Sequence, residues 1–428
     1  AGAGRYSPAD RARVLRRAAD AVRESAFELG AMETLDTGRP ISETSTYDAP
    51  SAADCIEYYA SVAASSPGGR STDVSDGSWA YLRREPLGVG AGIGAWNYPL
   101  QGCAWKSAPC LAFGNAMVYK PSELTARTAL RLAEIYSSAG LPDGLFNVVL
   151  GGGDVGAALV AKEEVAKVSF TGSVSTGRKV YQSAAGKLKK ATLELGGKSP
   201  LIIFDDADLD EAVSAAMMAN WYSSGQVCSN GTRVFVHRRS RDDFMERLIE
   251  RTMKLKIGDP MDPETQIGPM ITEGHMEKVL GYIQKGKDEG AKLAYGGERI
   301  FRDGLRGYFL SPAIFVDCSD SMAIVQDEIF GMVMSVLTFE SEEDVLCRAN
   351  GTEFGLAGGI FTNDLKRAHR MAKSLHAGVV WINNYNIAPA EMPWGGWKNS
   401  GIGKECGLEG GLDEWTRIKS VYVEMGGV

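Results

Sequence analysis

Short apolar segments alternate with helical segments over most of this chain. LGVGAGIGAW (87–96), AMVYK (116–120) and AKVSF (166–170) have the length and composition of buried strands, and helical stretches separate them. Strands that alternate with crossover helices form a parallel sheet with helices on both faces. The pattern begins again at PLIIF (200–204) and continues to GVVWIN (378–383). We therefore predict an α/β fold with two parallel-sheet domains and a cleft between them.

The segments outside these two sets also have distinct patterns. Ser7 followed by Pro8 and a periodic apolar stretch predicts the start of a helix. SSPGGRSTDVSDGS (65–78) is rich in Pro, Gly and Ser and is typical of a loop or connector. KSVYVEM (419–425) has the composition of a strand, and we expect it to pair with another strand, of this chain or of another subunit.

Net charge and cysteine usage exclude several classes of protein. The 428 residues carry a formal net charge of −8, whereas binding nucleic acid requires clustered Lys and Arg. No run of about 18 apolar residues occurs, so we expect no membrane span and no membrane partner. The 7 cysteines include no C-x-x-C pair and the 4 histidines no H-E-x-x-H motif, which argues against a disulfide framework and a metal site. We expect an enzyme of the cytoplasm or of an organelle matrix.

Three polar residues lie in surroundings that are unusual for their type. Cys228 is part of the polar segment SSGQVCSNGTR (223–233), and it is either a buried core thiol or a nucleophile. Glu194 ends an apolar strand before two glycines, where burial would raise its pKa toward that of a general base; a paired structural carboxylate is the alternative. Asn97 directly follows a buried strand and can either cap a turn or donate to an oxyanion.

Two further segments lie at strand ends, where α/β sheets bind nucleotides. In FTGSVSTG (170–177), Gly172 and Ser173 stand where a strand meets a helix, and a helix N-terminus can bind pyrophosphate; an ordinary capped turn is the alternative. In YKPSE, Lys120 and Glu123 are either solvated surface charges or ligands of a ribose. A carboxylate at this position would repel the 2′-phosphate of NADP and favour NAD. The glycines of residues 87–96 fit no G-x-G-x-x-G register, and close strand packing explains them equally well.

The order of the motifs resembles that of the aldehyde dehydrogenase superfamily. The matching segments span nearly the whole chain and are GAWNYPL, YKPSE, SFTGSVSTG, LELGGKSP, GQVCSNGTR, EIFG and WGGWKNSG. Within the superfamily, ETLDTGRPISETS and NGTRVFV are most similar to the branch that acts on betaine aldehyde and 4-trimethylaminobutyraldehyde.

The resemblance implies a catalytic role for the three unusual polar residues. Cys228 would be the nucleophile that adds to the aldehyde, and Asn97 would hold the resulting oxyanion. Glu194 would be the base that activates water against a thioester. An unperturbed thiol with a pKa of about 8.5 is mostly protonated at neutral pH, so the nucleophile needs activation.

The resemblance also implies that NAD is the cofactor, with NADP less favoured. Gly172, Ser173, Lys120 and Glu123 would bind its pyrophosphate and ribose. The nicotinamide end would be held by the remaining cofactor residues, which are Trp96, Glu328 and Phe330.

Aromatic residues accompany the catalytic motifs. Tyr98, Trp105, Tyr222 and Trp394 would form a box for a trimethylammonium group, which has no N–H and is attracted by aromatic faces at about 0.5–2 kcal/mol per ring. For each of these four residues taken alone, an ordinary place in the hydrophobic core is the alternative. The resemblance implies a cationic aldehyde substrate, betaine aldehyde first, with 4-trimethylaminobutyraldehyde or another ω-aminoaldehyde as alternatives.

The family resemblance implies a Rossmann-like cofactor domain, a second α/β catalytic domain and a small oligomerisation element. We expect the NAD-binding domain to comprise 1–69 and 87–196, without an N-terminal part that relatives carry. The catalytic domain would be 197–411. The segments 70–86 and 412–428 would bridge subunits of a homodimer or homotetramer.

The sequence departs from the family pattern at two positions, and one alternative to an enzyme is open. Met332 follows EIFG where relatives have Pro, which would make that loop less rigid. Arg417 stands where some relatives carry a second carboxylate, so this chain would lack that proton acceptor. The alternative to an enzyme is a non-catalytic descendant of the family, and it is opposed by the joint presence of Asn97, Glu194, Cys228 and Glu328.

Overall fold

The computed structural model describes residues 6–65, 69–74, 77–301, 304 and 306–425. Residues 1–5, 66–68, 75–76 and 426–428, which belong to the predicted terminal and connecting segments, lie outside this range. The helices are α1 (Pro8–Glu24), α2 (Ala26–Thr37), α3 (Ile41–Glu43), α4 (Ala49–Ala64), α5 (Pro99–Ala112), α6 (Arg127–Ser138), α7 (Gly153–Ala161), α8 (Val174–Ala185), α9 (Leu209–Trp221), α10 (Arg241–Met253), α11 (Glu273–Asp288), α12 (Ala323–Gln326), α13 (Glu342–Ala349), α14 (Leu365–Ser374) and α15 (Gly407–Trp415).

The strands follow the same chain order. They are β1 (Ser71–Asp73), β2 (Trp79–Pro86), β3 (Val89–Ile93), β4 (Ala116–Lys120), β5 (Phe146–Val148), β6 (Val165–Thr171), β7 (Lys190–Glu194), β8 (Pro200–Ile203), β9 (Arg233–His237), β10 (Lys292–Gly296), β11 (Arg299–Ile300), β12 (Phe309–Leu310), β13 (Ala313–Val316), β14 (Val333–Phe339), β15 (Phe354–Gly355), β16 (Ala357–Phe361), β17 (Val379–Ile382), β18 (Trp397–Lys398), β19 (Gly401–Ile402) and β20 (Thr416–Val423).

The first parallel sheet has the order β19-β7-β6-β3-β4-β5, with β19 antiparallel at its edge. From β3 the chain runs outward through β4 and β5 and then returns to β6 on the other side of β3. The direction of winding therefore reverses between β3 and β6, and ligands of open α/β sheets bind at such a reversal, beyond the carboxyl ends of the strands.

Close packing accounts for glycines in β3. A Cβ on Gly90 would lie 2.4 Å from the ring of Trp415, and a Cβ on Gly92 would lie 2.8 Å from the ring of Tyr119. Both distances are too short for a side chain, so the large aromatic residues occupy the space that the glycines leave. The packing explanation of these glycines is therefore correct.

The second sheet has the order β10-β13-β14-β9-β8-β16-β17, and its strands are parallel except for β10. Its central strands are mostly apolar, and Ile202, Phe235 and Ile360 are fully buried. Continuous apolar strands are typical of a parallel sheet covered on both faces. The predicted second α/β set is therefore present.

A separate antiparallel sheet, β1-β2-β20, contains the last strand of the chain. β20 pairs with β2 of the same chain, from Trp79 opposite Val423 to Pro86 opposite Thr416. The predicted connector contains β1, because Ser71–Asp73 pair with β2, so a loop throughout that segment was wrong. At the other end of the chain, Ser7 caps α1 as predicted, accepting a hydrogen bond from the Asp10 backbone N–H at 3.2 Å.

Candidate active site

A cavity of about 220 Å³ lies among the segments that follow strands of both parallel sheets. Its lining includes the segment after β3, the ends of β6 and β7, the loop before β9 and the loop after β17. All of the predicted catalytic and substrate residues line it, namely Asn97, Tyr98, Trp105, Glu194, Tyr222, Cys228 and Trp394. The structure therefore brings together residues that stand far apart in the sequence.

Cys228 lies in the loop between α9 and β9, after a tight turn at Tyr222–Gly225. In this turn Ser223 and Ser224 both have a φ of 53°, a left-handed conformation that is costly for residues other than glycine. Burial raises the pKa of the Cys228 thiol to about 12, and the carboxylates of Glu194 and Glu328 contribute further. The thiol is therefore protonated at rest and needs a base nearby before it can attack.

Glu194 is the last residue of β7, and its carboxyl group is buried beside the cavity. Among the described residues, neither of its carboxyl oxygens has a hydrogen-bond partner. Burial, and next the carboxylate of Glu405, hold its pKa well above the ordinary value of 4.5. A carboxyl group in such a position can take a proton near neutral pH, which is what a general base must do.

Asn97 is buried in the segment that joins β3 to α5. Its side-chain Nδ2 donates to the carbonyl of Gln226 at 3.1 Å. An amide nitrogen carries two protons, so this contact fixes the orientation of the side chain and leaves one proton for an oxyanion in the cavity.

Sequence reasoning missed a second acidic residue of the cavity, Glu405. Glu405 is 5% exposed and lines the cavity. Its Oε1 accepts from Lys106 Nζ and, at 2.7 Å, from Ser169 Oγ. The expectation that Arg417 replaces a carboxylate of the site was wrong, because Arg417 is exposed on β20 and does not line the cavity, whereas Glu405 does. Only an isolated Glu next to Cys406 marks this position in the sequence, and that signal is weak.

Aromatic side chains form much of the cavity wall. The rings of Trp105 and Trp394 are in edge contact, with centroids 5.8 Å apart. Two further aromatics escaped sequence reasoning: Tyr47, whose ring is 6.3 Å from that of Tyr222, and Tyr385, whose hydroxyl donates to the Ser229 carbonyl at 2.8 Å. Tyr47 belongs to a π-helical turn at Thr44–Asp48, and nothing in the local pattern distinguishes it from a surface helix residue.

The predicted nucleotide residues lie outside this cavity, at the carboxyl edge of the first sheet. Lys120 ends β4, and its Nζ donates to the Pro121 carbonyl at 2.6 Å and lies 3.6 Å from a carboxylate oxygen of Glu123. Ser173 is the N-cap of α8 and accepts from the Thr176 backbone N–H at 3.3 Å. These residues flank the reversal between β3 and β6, so the donor set and the topology both fit a dinucleotide.

The residues predicted to hold the nicotinamide, Trp96, Glu328 and Phe330, do not line the cavity. The rings of Trp96 and Phe330 have centroids 5.3 Å apart, and Glu328 accepts from the Gly197 backbone N–H at 3.3 Å. A Cβ on Gly196 would lie 2.0 Å from Glu328 Oε2, so only glycine allows the carboxylate to approach this closely. Met332, which follows this group, is buried, and its carbonyl accepts from the Ala313 N–H at 2.9 Å.

The sequence was also compared with protein-family models, and the model described as "Aldehyde dehydrogenase family" matches residues 2–421. The chain belongs to the aldehyde dehydrogenase family. The predicted family and α/β fold class are thus confirmed, and so is the prediction of an oxidoreductase.

Known family members are similar over nearly the whole chain. The betaine aldehyde dehydrogenase of Mesorhizobium japonicum is 58% identical over 425 residues, which are 99% of this chain and 87% of the relative. The enzyme of the same name from Brucella anthropi is 56% identical over 98% of this chain and 86% of its own length.

Solved structures of the family have the same fold. An aldehyde dehydrogenase from Bacillus cereus in complex with NAD+ superposes with a TM-score of 0.96 at 41% identity, covering 100% of this chain and 86% of its own. The betaine aldehyde dehydrogenase of Staphylococcus aureus in complex with NAD+ superposes with a TM-score of 0.94 at 41% identity, covering 97% and 83%.

The described residues contain neither a candidate membrane span nor a cluster of metal ligands. No helix in this part of the chain has the length and apolar character that crossing a bilayer requires. Nor do three or more His, Cys, Asp or Glu side chains of the described ranges cluster so that they could hold a metal ion.

Proposed function

We propose that this aldehyde dehydrogenase oxidises betaine aldehyde to glycine betaine with NAD as the cofactor. The observation that carries the proposal is the aromatic wall of the cavity, which stands beside Cys228, Glu194 and Asn97. A trimethylammonium group cannot be held by hydrogen bonds, so aromatic faces are the surfaces suited to it. The names of the Mesorhizobium and Brucella relatives support the same substrate.

The catalytic residues act in two stages. In the first, Glu194 takes the proton of the Cys228 thiol, and the thiolate adds to the aldehyde carbon. The oxyanion of this thiohemiacetal accepts hydrogen bonds from Asn97 Nδ2 and from the backbone N–H of Cys228. When NAD is bound by the residues at the edge of the first sheet, it supplies the acceptor for the hydride that leaves the thiohemiacetal, which becomes a thioester.

In the second stage Glu194 acts on water. Once Glu194 has passed the thiol proton to solvent, its carboxylate draws a proton from a water molecule, which attacks the thioester carbon and releases the carboxylic acid and the Cys228 thiolate. Because its oxygens have no other hydrogen-bond partner among the described residues, Glu194 is free to hold this water.

The division of the chain into functional parts is also a proposal. We assign NAD binding to 1–69 and 87–196, and catalysis to 197–411. The segments 70–86 and 412–428 would bridge subunits of a homodimer or homotetramer. The sheet β1-β2-β20 supports the last assignment, because β20 is an edge strand whose Ile418 and Tyr422 are exposed.

The charge of the substrate provides the test. We expect kcat/KM for betaine aldehyde to exceed that for its neutral carbon isostere, 3,3-dimethylbutanal, at least about tenfold. A tenfold difference corresponds to about 1.4 kcal/mol, which cation–π contacts with the aromatic rings can supply. NADH formation followed at 340 nm measures both, and Cys228→Ala is expected to abolish it. Equal values for the two aldehydes would contradict the aromatic box, and an active Cys228→Ala variant would contradict the nucleophile.

A further inference from the structure

A buried group of charges lies behind the aromatic wall. Arg39 is 1% exposed and does not line the cavity, and its guanidinium carbon lies 4.1 Å from the ring centroid of Tyr98 and 5.9 Å from that of Tyr222. Both tyrosines line the cavity. The charges of this group are therefore separated from the cavity by little more than aromatic rings.

Asp48 neutralises Arg39. Arg39 Nη2 donates to Asp48 Oδ1 at 3.0 Å, and Nη1 donates to Oδ2, which makes a bidentate pair. Asp48 is fully buried. Without this partner, a cation behind Tyr98 would repel a cationic substrate in front of it, since the interior screens charges poorly.

Glu43 adds a carboxylate that this pair does not require. Its Oε2 lies 3.6 Å from Arg39 Nη2, and it accepts from the backbone N–H of Ser223 at 3.2 Å and from the Ser223 hydroxyl at 3.0 Å. The Ser223 hydroxyl lies 2.9 Å from the hydroxyl of Tyr98. With Arg39 and Asp48 balanced, an ionised Glu43 leaves one negative charge beside the tyrosine wall.

We propose that Glu43 is a specificity-determining residue, whose carboxylate makes the potential at the aromatic wall negative and favours a cationic aldehyde over a neutral one. This inference rests on the proposed function, because it concerns the same cavity and the same substrate class. Glu43 does not line the cavity, so it acts through the rings of Tyr98 and Tyr222.

The ionisation of Glu43 gives the effect a pH dependence. Burial raises the pKa of Glu43 to about 7, while Arg39 and the hydrogen bonds from Ser223 oppose the rise. Glu43 is therefore ionised above about pH 7 and neutral below it, so preference for the cation should increase with pH. Burial and Asp48 hold the pKa of the neighbouring Glu33 well above its ordinary value.

Other titratable groups face the same region. Burial raises the pKa of Tyr98, Tyr222 and Tyr47, so these phenols stay neutral in the relevant range. In the cavity, Cys228 and Glu194 titrate with either aldehyde bound. Dividing kcat/KM for betaine aldehyde by that for 3,3-dimethylbutanal at each pH reduces the contribution of Cys228 and Glu194 to the pH dependence. Comparing this ratio between the wild type and the Glu43 variant then isolates the contribution of Glu43.

The decisive variant is Glu43→Gln, whose amide oxygen can still accept from Ser223. We expect the ratio of the two kcat/KM values at pH 8.5 to fall about fivefold through a higher KM for betaine aldehyde, as loss of a nearby buried charge implies. We also expect the rise of the ratio between pH 6 and 8.5 to flatten. Glu43→Asp should restore part of both, and Glu134→Gln, which removes an exposed carboxylate on α6, should change neither.

The outcomes distinguish failure of the role of Glu43 from failure of the proposed function. If the wild type prefers betaine aldehyde and Glu43→Gln keeps the same ratio and pH profile, the role of Glu43 is refuted and the proposed function stands. If the wild type shows no preference, both fail. Circular dichroism and the Tm verify folding of Glu43→Gln. Should that variant not fold, Glu43→Asp takes its place, because it keeps the charge but withdraws it from the tyrosine wall, and a ratio equal to that of the wild type would refute the inference.

Discussion

At the scale of single residues, the state of Glu194 decides how this site works. Its carboxyl group is buried, lacks a hydrogen-bond partner among the described residues and has a raised pKa. A folded-state pKa above 4.5 means that Glu194 destabilises the folded protein increasingly as the pH rises past this ordinary value, because unfolding would let it ionise. Such a residue is retained for chemistry and not for stability.

Replacing Glu194 by Gln should therefore separate activity from stability. We expect kcat to fall by about 10²–10⁴-fold, since the amide cannot accept the proton. The midpoint of urea unfolding at pH 7.5 should stay the same or rise, because the cost of the buried carboxyl is removed. Steady-state NADH formation and urea titration measure the two effects. A variant with near-normal kcat would show that another group is the base.

Part of the candidate site could be predicted from its position at strand ends. Asn97 follows β3 and Glu194 ends β7, and parallel strands bring their carboxyl ends to one edge of the sheet. Cys228 precedes β9 and was marked only by the polar composition of its loop. Glu405 and Tyr47 could not be found in this way. Their roles depend on contacts such as that of Glu405 with Lys106, which join parts of the chain that no local pattern relates.

At the scale of elements, the junction between β7 and β8 holds Glu328 in place. Gly196 and Gly197 let the carboxylate approach the backbone, and the Gly197 N–H donates to it. The strands themselves were predictable from their apolar runs. The closeness of this junction to Glu328 was not, because it depends on where two distant loops meet.

Gly196→Ala should displace Glu328. The added Cβ would stand 2.0 Å from Oε2, so the carboxylate must move. We expect the KM for NAD to rise several-fold, with a smaller change in the KM for the aldehyde, measured by initial rates with each substrate varied. The matched control is Gly281→Ala in α11, where a Cβ meets nothing within 4 Å. It should leave both KM values unchanged, and an unchanged KM for NAD in Gly196→Ala would remove Glu328 from the cofactor site.

At the scale of the whole molecule, the sheet β1-β2-β20 is separate from the two larger sheets, and β20 is one of its edge strands. Ile418 and Tyr422 on β20 are 56% and 58% exposed. Exposed apolar residues on an edge strand support the proposal that another subunit covers this surface. The composition of β20 predicted a strand, but its partner could not be predicted, because pairing with β2 and pairing with another subunit require the same residues.

Ile418→Arg should weaken the proposed assembly. A charge in a covered interface is costly, so we expect sedimentation velocity to show a shift from dimer or tetramer toward monomer, while circular dichroism stays unchanged. Leu365→Arg is the control, because Leu365 is 70% exposed on α14, outside this sheet. A wild-type protein that sediments as a monomer at micromolar concentration would contradict the proposal.

The two carboxyl groups of the cavity also bear on the end of the catalytic cycle. Oxidation turns a cationic aldehyde into a zwitterion, and its new carboxylate forms at Cys228, where Glu194 and Glu405 both line the space. Like charges at close range repel, most strongly away from bulk water. We therefore expect that, once Glu194 has given up the proton it drew from water, its carboxylate repels that of the product, so that glycine betaine binds more weakly than the aldehyde and inhibits little even where it is abundant.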